Sequence, residues 1–130
     1  MIQFAYTILY VKDVSRSLSF YEQAFGFQRR FLAPGEEYGE LDTGNTILSF
    51  AAHSLADKNL SNGYIQSSPK AKPFGIEIGF TTAEVEKVYT AAVKAGATEV
   101  EEAKTKPWGQ VVAYVKDPDG FLIEICTPMA

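Results

Sequence analysis

The same order of secondary-structure signals occurs twice along this chain. Residues 4–51 and residues 74–127 each contain an aromatic and β-branched strand pattern, then a helical pattern, then three short strand patterns separated by turn residues. The first helix is predicted over Val14–Phe25 and the second over about 83–94. Each half is therefore a predicted strand–helix–strand–strand–strand module, and the chain is predicted to be an α+β protein built from an internal repeat.

The two halves align without gaps over their most regular parts. Tyr6–Val14 lies over Glu77–Val85, and Asn45–Phe50 lies over Gly120–Ile125. The last strand follows Asp117–Gly120, in which Pro sets φ at the first turn position and Gly supplies a positive φ at the exit. We therefore assign this acidic turn a structural role and no chemistry.

Residues 1–130 are predicted to form a single domain in which segment 52–73 joins the two repeats. The segment is polar and rich in Ser, Asn, Lys and Pro. A connection of this length is typical of a lid, a binding loop or a plain linker. Tyr64 and Ile65 give the segment one apolar contact point, but both the lid and the linker remain open.

Charge and composition exclude several classes of partner. The chain has 12 Lys and Arg against 16 Asp and Glu, and its basic residues form no stripe, so no nucleic-acid partner is expected. No apolar run approaches the roughly 18 residues that span a bilayer, and no signal-peptide pattern is visible. Cys126 is the single cysteine, which leaves no internal disulfide. We therefore expect a cytoplasmic protein.

Side-chain alternation sorts the strand residues onto two faces. The core faces are expected to pack on the helices, and the opposite faces carry one polar residue in the first and last strand of each repeat. These residues are Tyr6, Ser49, Glu77 and Glu124, with Ile8, Tyr10, Ile47 and Leu122 as apolar and aromatic neighbours. If the sheet curves, the polar set converges on its concave side. We prefer such a lined cavity over a plain solvated face because the neighbours are apolar.

Two stretches carry a family resemblance, Leu9–Phe27 (LYVKDVSRSLSFYEQAFGF) and Lys106–Ile125 (KPWGQVVAYVKDPDGFLIEI). With them the chain resembles the vicinal oxygen chelate superfamily, which contains glyoxalases, bleomycin-resistance proteins and extradiol dioxygenases. The resemblance covers essentially all 130 residues. It implies two βαβββ modules whose eight strands form a curved, mostly antiparallel, cup-shaped sheet with the helices outside. It also implies a homodimer.

The resemblance also implies where a metal would bind in metal-dependent members such as glyoxalase I. Those positions fall here on Tyr6, Ser49, Glu77 and Glu124. A phenol and a serine hydroxyl are poor ligands for a divalent ion, so only the two glutamates remain as good ligands. We expect no cofactor, with a weakly bound Mg²⁺ or Mn²⁺ as the alternative. His53, the only histidine, is expected to be a surface or loop residue.

The pattern is most similar to metal-free bleomycin-resistance proteins, which sequester a drug without altering it, and this predicts a role in antibiotic resistance. An apolar groove with fixed negative charge suits a small cationic or aromatic ligand. The expected ligand-binding residues are Tyr6, Ile8, Tyr10, Ser49, Glu77, Trp108 and Glu124. No catalytic residue is assigned, and Glu77 and Glu124 are the candidates if the protein is an enzyme.

Several alternatives remain open. The chain could be a metal-dependent lyase, isomerase or dioxygenase-like enzyme, or a regulatory module that uses the sheet rim for protein contacts. Trp108 could stack on a ligand or serve only in packing. Arg29 and Arg30 could pair with a cavity glutamate or carry solvated charge. Cys126 is expected to be an inert, near-buried thiol because no activating partner is visible.

Overall fold

Two four-stranded sheets form the framework of the protein. The computed structural model describes residues 1–129. The chain divides into two units, the first made of Met1–Glu22 and Gly26–Gln66, the second made of Gln23–Phe25 and the chain from Ser67 onward. Each unit contains one of the sheets.

The first unit has the order βαβββ followed by a short helix. Its elements are β1 (Tyr6–Val11), α1 (Val14–Phe25), β2 (Gln28–Leu32), β3 (Tyr38–Asp42), β4 (Ile47–Ala52) and α2 (His53–Asn59), and the last three residues of α1 belong to the second unit. The sheet order is β1-β4-β3-β2. Strand β1 pairs with β4 in parallel, whereas the other two pairings are antiparallel.

The second unit repeats this arrangement. Its elements are β5 (Glu77–Thr81), α3 (Val85–Ala95), β6 (Thr98–Thr105), β7 (Val111–Lys116) and β8 (Leu122–Cys126). The sheet order is β5-β8-β7-β6, and again the first strand of the module pairs in parallel with the last one. The predicted α+β class and the two βαβββ modules are confirmed, with hydrogen bonds dividing the eight strands into two mixed sheets.

Helix α1 begins and ends where its sequence signals predict. The side chain of Asp13 accepts a hydrogen bond from the backbone N–H of Arg16 at 3.1 Å, and Gly26 ends the helix with φ of 75°. The helix approaches β3 closely at Gly39, where an added Cβ would lie 2.8 Å from Cδ1 of Leu18. A glycine at this point of β3 therefore allows helix and sheet to touch.

Segment 52–73 is not a loop throughout, because residues 53–59 form helix α2 against β4 and β1. The buried Ala56 supplies the apolar contact of this short helix. Farther along, the ring of Tyr64 lies 5.0 Å from that of Tyr10 and stacks on His53 at 5.8 Å. Of the predicted contact point, Tyr64 thus packs on β1, whereas Ile65 is exposed. His53 is partly buried rather than a free surface residue because the ring of Tyr64 stacks on it and the Tyr64 hydroxyl lies 2.8 Å from its Nδ1.

Two boundaries in the second unit differ from the sequence-based expectation. Strand β5 begins at Glu77 rather than at residue 74, because its pairing with β8 begins with Glu77 opposite Leu122. Helix α3 begins at Val85 because the hydroxyl of Thr82 accepts a hydrogen bond from the N–H of Glu84 and so stabilises the preceding turn.

The acidic turn before β8 has the structural role expected of it. Asp117 is buried, and its Oδ1 accepts hydrogen bonds from the backbone N–H groups of Asp119 and Phe121, each at 2.9 Å. Gly120 has φ of 95°, and an added Cβ would lie 2.4 Å from the backbone of Ser68. The turn is therefore packed against the backbone at Ser68 and Pro69 and cannot accept a larger residue at Gly120.

The buried core lies on the helix side of each sheet. Tyr21 of α1 packs with its ring 5.2 Å from that of Phe50, and Leu41 is fully buried beside them. In the second unit Ile123 and Ile125 are fully buried on the side that α3 covers. Both assignments follow the predicted alternation. No helix among the described residues is long and apolar enough to cross a membrane.

Candidate functional site

The face of the second sheet that lies away from the core carries three rows of side chains. Cross-strand register defines the rows as Glu77–Leu122–Lys116, then Gly79–Glu124–Tyr114, then Thr81–Cys126–Val112. Glu124 is central in this arrangement, with a neighbouring strand on each side. Alternation along β8 therefore places the predicted carboxylate in the middle of the face opposite Ile123 and Ile125, where it is partly buried.

Glu124 uses its two oxygen atoms differently. Oε2 accepts a hydrogen bond from the phenol of Tyr114 at 3.1 Å. Oε1 lies 3.5 Å from Sγ of Cys126, and a thiol is only a weak donor. The first oxygen is thus satisfied by the protein, while the second has capacity for a stronger donor.

The pKa values of two neighbours of Glu124 are raised above their ordinary range, mainly by burial. Burial, reinforced by the negative charges of Glu124 and Glu77, raises the pKa of Tyr114 to about 12. Burial and the same two carboxylates raise the pKa of Cys126 to about 11. Tyr114 therefore acts as a hydrogen-bond donor, and Cys126 is an unreactive thiol, as its sequence context predicts.

Neither Glu77 nor Glu124 is paired with a basic side chain within the second unit, as far as the structure describes it. Lys116 shares their face, but its Nζ donates to the carbonyl oxygens of Pro69 and Ala71 at 2.7 and 3.2 Å. This face therefore presents uncompensated negative charge next to a protonated phenol.

The corresponding face of the first unit is organised differently. Oη of Tyr38 lies 2.7 Å from Oε2 of Glu40 and 3.1 Å from Oγ of Ser49. Because a carboxylate only accepts, the phenol donates its hydrogen bond to Glu40, and its oxygen accepts a hydrogen bond from the hydroxyl of Ser49. Burial is the largest cause that raises the pKa of Tyr38. Ser49 is fully buried, so its oxygen serves this network rather than an open surface.

A bulge in β2 gives Glu40 its own cation. The register shifts between Arg29 and Phe31, and Nε of Arg30 donates to Oε1 of Glu40 at 3.2 Å. Arg29 instead pairs with Glu22 of α1 at 2.9 Å. Both arginines therefore carry paired charge, and the carboxylate of the first unit is already neutralised.

The predicted residues of β1 line the same face as this network. Tyr6 lies close enough to Tyr38 for their charges to interact, and Ile8 is the cross-strand partner of Ser49. Tyr6 and Ile8 are exposed, whereas the ring of Tyr64 partly covers Tyr10. Within the first unit, the structure therefore brings Tyr6, Ile8, Tyr10 and the buried Ser49 onto one face of the sheet.

Trp108 lies in a different place from Glu77 and Glu124. It precedes β7 instead of opening it, and its indole N–H donates to Oε1 of Gln110 at 2.8 Å. The side chain is 62% exposed and borders a pocket of about 310 Å³. The lining residues are Trp108, Gly109, Gln110, Thr127, Pro128 and Met129. Neither Glu77 nor Glu124 contributes to that pocket.

The donor set does not fit a divalent metal centre at the positions that the family resemblance indicates. Ser49 is buried in its hydrogen-bond network, and Tyr6 offers a phenol. In the part of the chain that the structure describes, no three His, Cys, Asp or Glu side chains are grouped so that they could hold a metal ion. Glu77 and Glu124 alone supply fewer ligands than a tight site requires.

Three residues form hydrogen bonds on these two sheet faces but are absent from the predicted set of site residues: Tyr38, Glu40 and Tyr114. All lie on the third strand of a module, whereas the predicted residues came from the first and last strands. Side-chain alternation could have identified two of them, because Tyr38 and Glu40 are two residues apart in β3 and therefore lie on the same face. The carboxylate lies on different strands in the two units. In the first unit Glu40 on β3 is opposite Ser49, and in the second unit Glu124 on β8 is opposite Tyr114.

A sequence profile of the Glyoxalase/Bleomycin resistance protein/Dioxygenase superfamily matches residues 3–125. Lactoylglutathione lyase GLX1 of Arabidopsis thaliana is 29% identical over 129 residues, which cover 95% of this chain and 43% of that protein. Virulence protein STM3117 of Salmonella typhimurium is 29% identical over 125 residues, covering 91% of this chain and 78% of that protein. The chain thus spans less than half the length of the Arabidopsis relative.

Solved structures share the fold over nearly the whole chain. One is the crystal structure of a glyoxalase/bleomycin resistance protein/dioxygenase family enzyme from Burkholderia phytofirmans PsJN, with a TM-score of 0.79 and 26% identity. The match covers 96% of this chain and 98% of that chain.

Proposed function

Because the chain belongs to the glyoxalase/bleomycin resistance protein/dioxygenase superfamily, we propose that it is a small-molecule-binding protein. It holds a cationic ligand against Glu124 and Glu77 and uses no catalytic metal. The observation that carries this proposal is the pair of carboxylates on the β5–β8–β7 face, for which the described residues of the second unit supply no basic partner. Glu40 differs from them because Arg30 forms an ion pair with it at 3.2 Å.

The physical reason is electrostatic. Two neighbouring carboxylates repel each other, and at Glu124 partial burial weakens the solvation that would otherwise screen the repulsion. An organic cation with N–H groups relieves this repulsion and donates to the oxygen atoms that Tyr114 leaves available. Leu122, between the two glutamates and Lys116, supplies apolar area for the uncharged part of the ligand.

The proposal is tested with benzamidine, a flat aromatic cation, and with benzamide, its neutral counterpart of nearly equal shape. Isothermal titration should show binding of benzamidine only. Glu124→Gln should weaken that binding about tenfold because one charge-assisted hydrogen bond is lost. Glu40→Gln is the matched control, and it should change the affinity less than about twofold because Arg30 already neutralises Glu40.

Two results would contradict the proposal. Equal binding of benzamidine and benzamide would show that the negative charge of the face contributes nothing to recognition. A stoichiometric divalent metal that stays with the purified protein through desalting would show that the carboxylates serve a metal site instead.

A second candidate function rests on the similarity to the Arabidopsis lactoylglutathione lyase. In an enzyme of this kind, Glu124 would act as general base at the acidic carbon of an enolisable substrate, with Tyr114 keeping its carboxylate in position. Turnover of the methylglyoxal–glutathione adduct, lost in Glu124→Gln, would favour this function. No turnover together with selective binding of benzamidine would favour the binding protein.

A further inference from the structure

Gly79 lies directly opposite Glu124 on the neighbouring strand β5. An added Cβ at Gly79 would lie 3.4 Å from Oε1 of Glu124. Strand β5 is the edge strand of its sheet, and Gly79 is exposed to solvent. The absence of a side chain at this one position leaves Oε1 uncovered from the side of the sheet edge.

The backbone does not explain this glycine. Gly79 is not among the residues with a positive φ, in contrast to Gly26 and Gly120. A glycine inside a strand destabilises the folded state by roughly 0.5–1 kcal/mol relative to alanine, so the position has a cost without a conformational need. A glycine inside a strand often marks a bulge, a tight bend or a place where a ligand or another backbone approaches closely, and the β5–β8 pairing has no register shift at Gly79. Within the described part of its own sheet, β5 is hydrogen-bonded to β8 alone.

The open side coincides with the available oxygen of Glu124. Oε2 is bound by Tyr114 from β7, on the far side of β8. Among the described residues, Oε1 has the weak Cys126 thiol as its hydrogen-bond donor, 3.5 Å away, and it faces the space above Gly79. Access and hydrogen-bonding capacity are therefore found at the same atom.

We propose that Gly79 is the opening through which the cationic group of the ligand reaches Oε1 of Glu124. The inference rests on the proposed function and specifies its ligand class: the head group is flat, such as an amidinium or guanidinium, and lies on the bare backbone of β5. Glu77 and Thr81 flank this bare stretch on the same face. Any side chain at residue 79 narrows the opening and covers Oε1.

The first test compares substitutions at residue 79 in the benzamidine titration. Gly79→Ala should weaken binding a few-fold, and Gly79→Val should weaken it about tenfold or more because the branched side chain covers Oε1. Gly75→Val is the matched control, because Gly75 is exposed, has no positive φ and has no atom near an added Cβ. Thermal unfolding of Gly79→Val should occur at or above the temperature of the unchanged protein, since valine favours strands.

A second measurement reports access to Glu124 without any ligand. Methylamine and a water-soluble carbodiimide convert accessible carboxylates to amides, which peptide mass mapping detects. Labelling of Glu124 should fall several-fold in Gly79→Val and stay unchanged in Gly75→Val. The exposed Glu86 of α3 is the internal standard in every sample.

The outcomes separate the inference from the proposed function. Binding that depends on Glu124 but is equal in the unchanged protein and in Gly79→Val, or unchanged labelling of Glu124, overturns the role of Gly79 and leaves the binding function standing. Failure of the unchanged protein to distinguish benzamidine from benzamide overturns the binding function. The labelling result then still decides whether Gly79 controls access to Oε1.

Discussion

Tyr114, on the adjacent strand β7, donates a hydrogen bond from its phenol to Oε2 of Glu124, and the two oxygen atoms are 3.1 Å apart. This bond holds one oxygen of the carboxylate and leaves the other toward the edge strand, where Gly79 lies. The relationship makes the face asymmetric: one side of Glu124 is occupied by the protein, and the other is open. A ligand that binds there meets a carboxylate already held in one orientation.

The hydrogen bond between Tyr114 and Glu124 should contribute measurably to stability. Tyr114→Phe keeps the ring and removes the donor, so we expect the free energy of unfolding to fall by about 1 kcal/mol, below the range for fully buried bonds to charged groups. Urea unfolding measures the change. Tyr6→Phe is the control, because Tyr6 is an exposed tyrosine of the other unit. The free energy of unfolding of this variant should change by less than about 0.5 kcal/mol. Equal losses in both variants would contradict the assignment.

Stability should decrease in alkaline solution. The pKa of Tyr114 is raised from 10.0 to about 12, and that of Cys126 from 9.0 to about 11, in both cases mainly by burial. A raised pKa means that the folded state holds the proton more tightly than the unfolded state. The stabilisation is therefore complete below about pH 9 and is lost as the pH rises through 11 to 12. Urea unfolding at a series of pH values measures this slope.

Variants identify the groups responsible for that slope. The double variant Tyr114→Phe with Cys126→Ala should lose stability less steeply above pH 9 than the unchanged protein, whatever its stability at neutral pH. Part of the slope should remain, because the pKa values of Tyr38, Tyr64 and Tyr89 are raised as well. An identical slope in the double variant would rule out the two residues as its source.

Gly39 should tolerate no larger side chain. An added Cβ would lie 2.8 Å from Cδ1 of Leu18 and 3.0 Å from Cγ1 of Val14, so Gly39→Ala pushes α1 away from β3. We expect a loss of about 1–3 kcal/mol in the free energy of unfolding, as for other overpacked sites. Gly75→Ala, at an open position, should be nearly neutral. Thermal and urea unfolding of the pair test this, and equal stabilities would contradict the close packing at Gly39.

Much of the fold could be predicted because its signals are local. Helical spacing with Asp13 and Gly26 at the ends of α1 defines that helix without any distant contact. Helix α2 was missed because it is only seven residues long and lies in a polar segment. Such a short helix depends on packing against β4 and β1 rather than on its own propensity.

The site could be predicted only in part for a related reason. Alternation along β8 and β5 is enough to put Glu124 and Glu77 on one side of their strands. It does not extend across a bulge, so the pairing of Arg30 with Glu40 was not foreseen. The expected ligand contact of Trp108 remains a prediction, while its place in the fold is a separate pocket.

The sequence by itself determined the repeated βαβββ order, the turn at Asp117–Gly120 and the face on which Glu124 lies, because these depend on neighbours along the chain. Only the tertiary structure decided which charges stay unpaired. Lys116 donates to carbonyl groups of a distant segment, and Tyr114 occupies a single oxygen of Glu124. The physical reason is that hydrogen bonds between strands depend on register and on loop packing, which connect residues far apart in sequence.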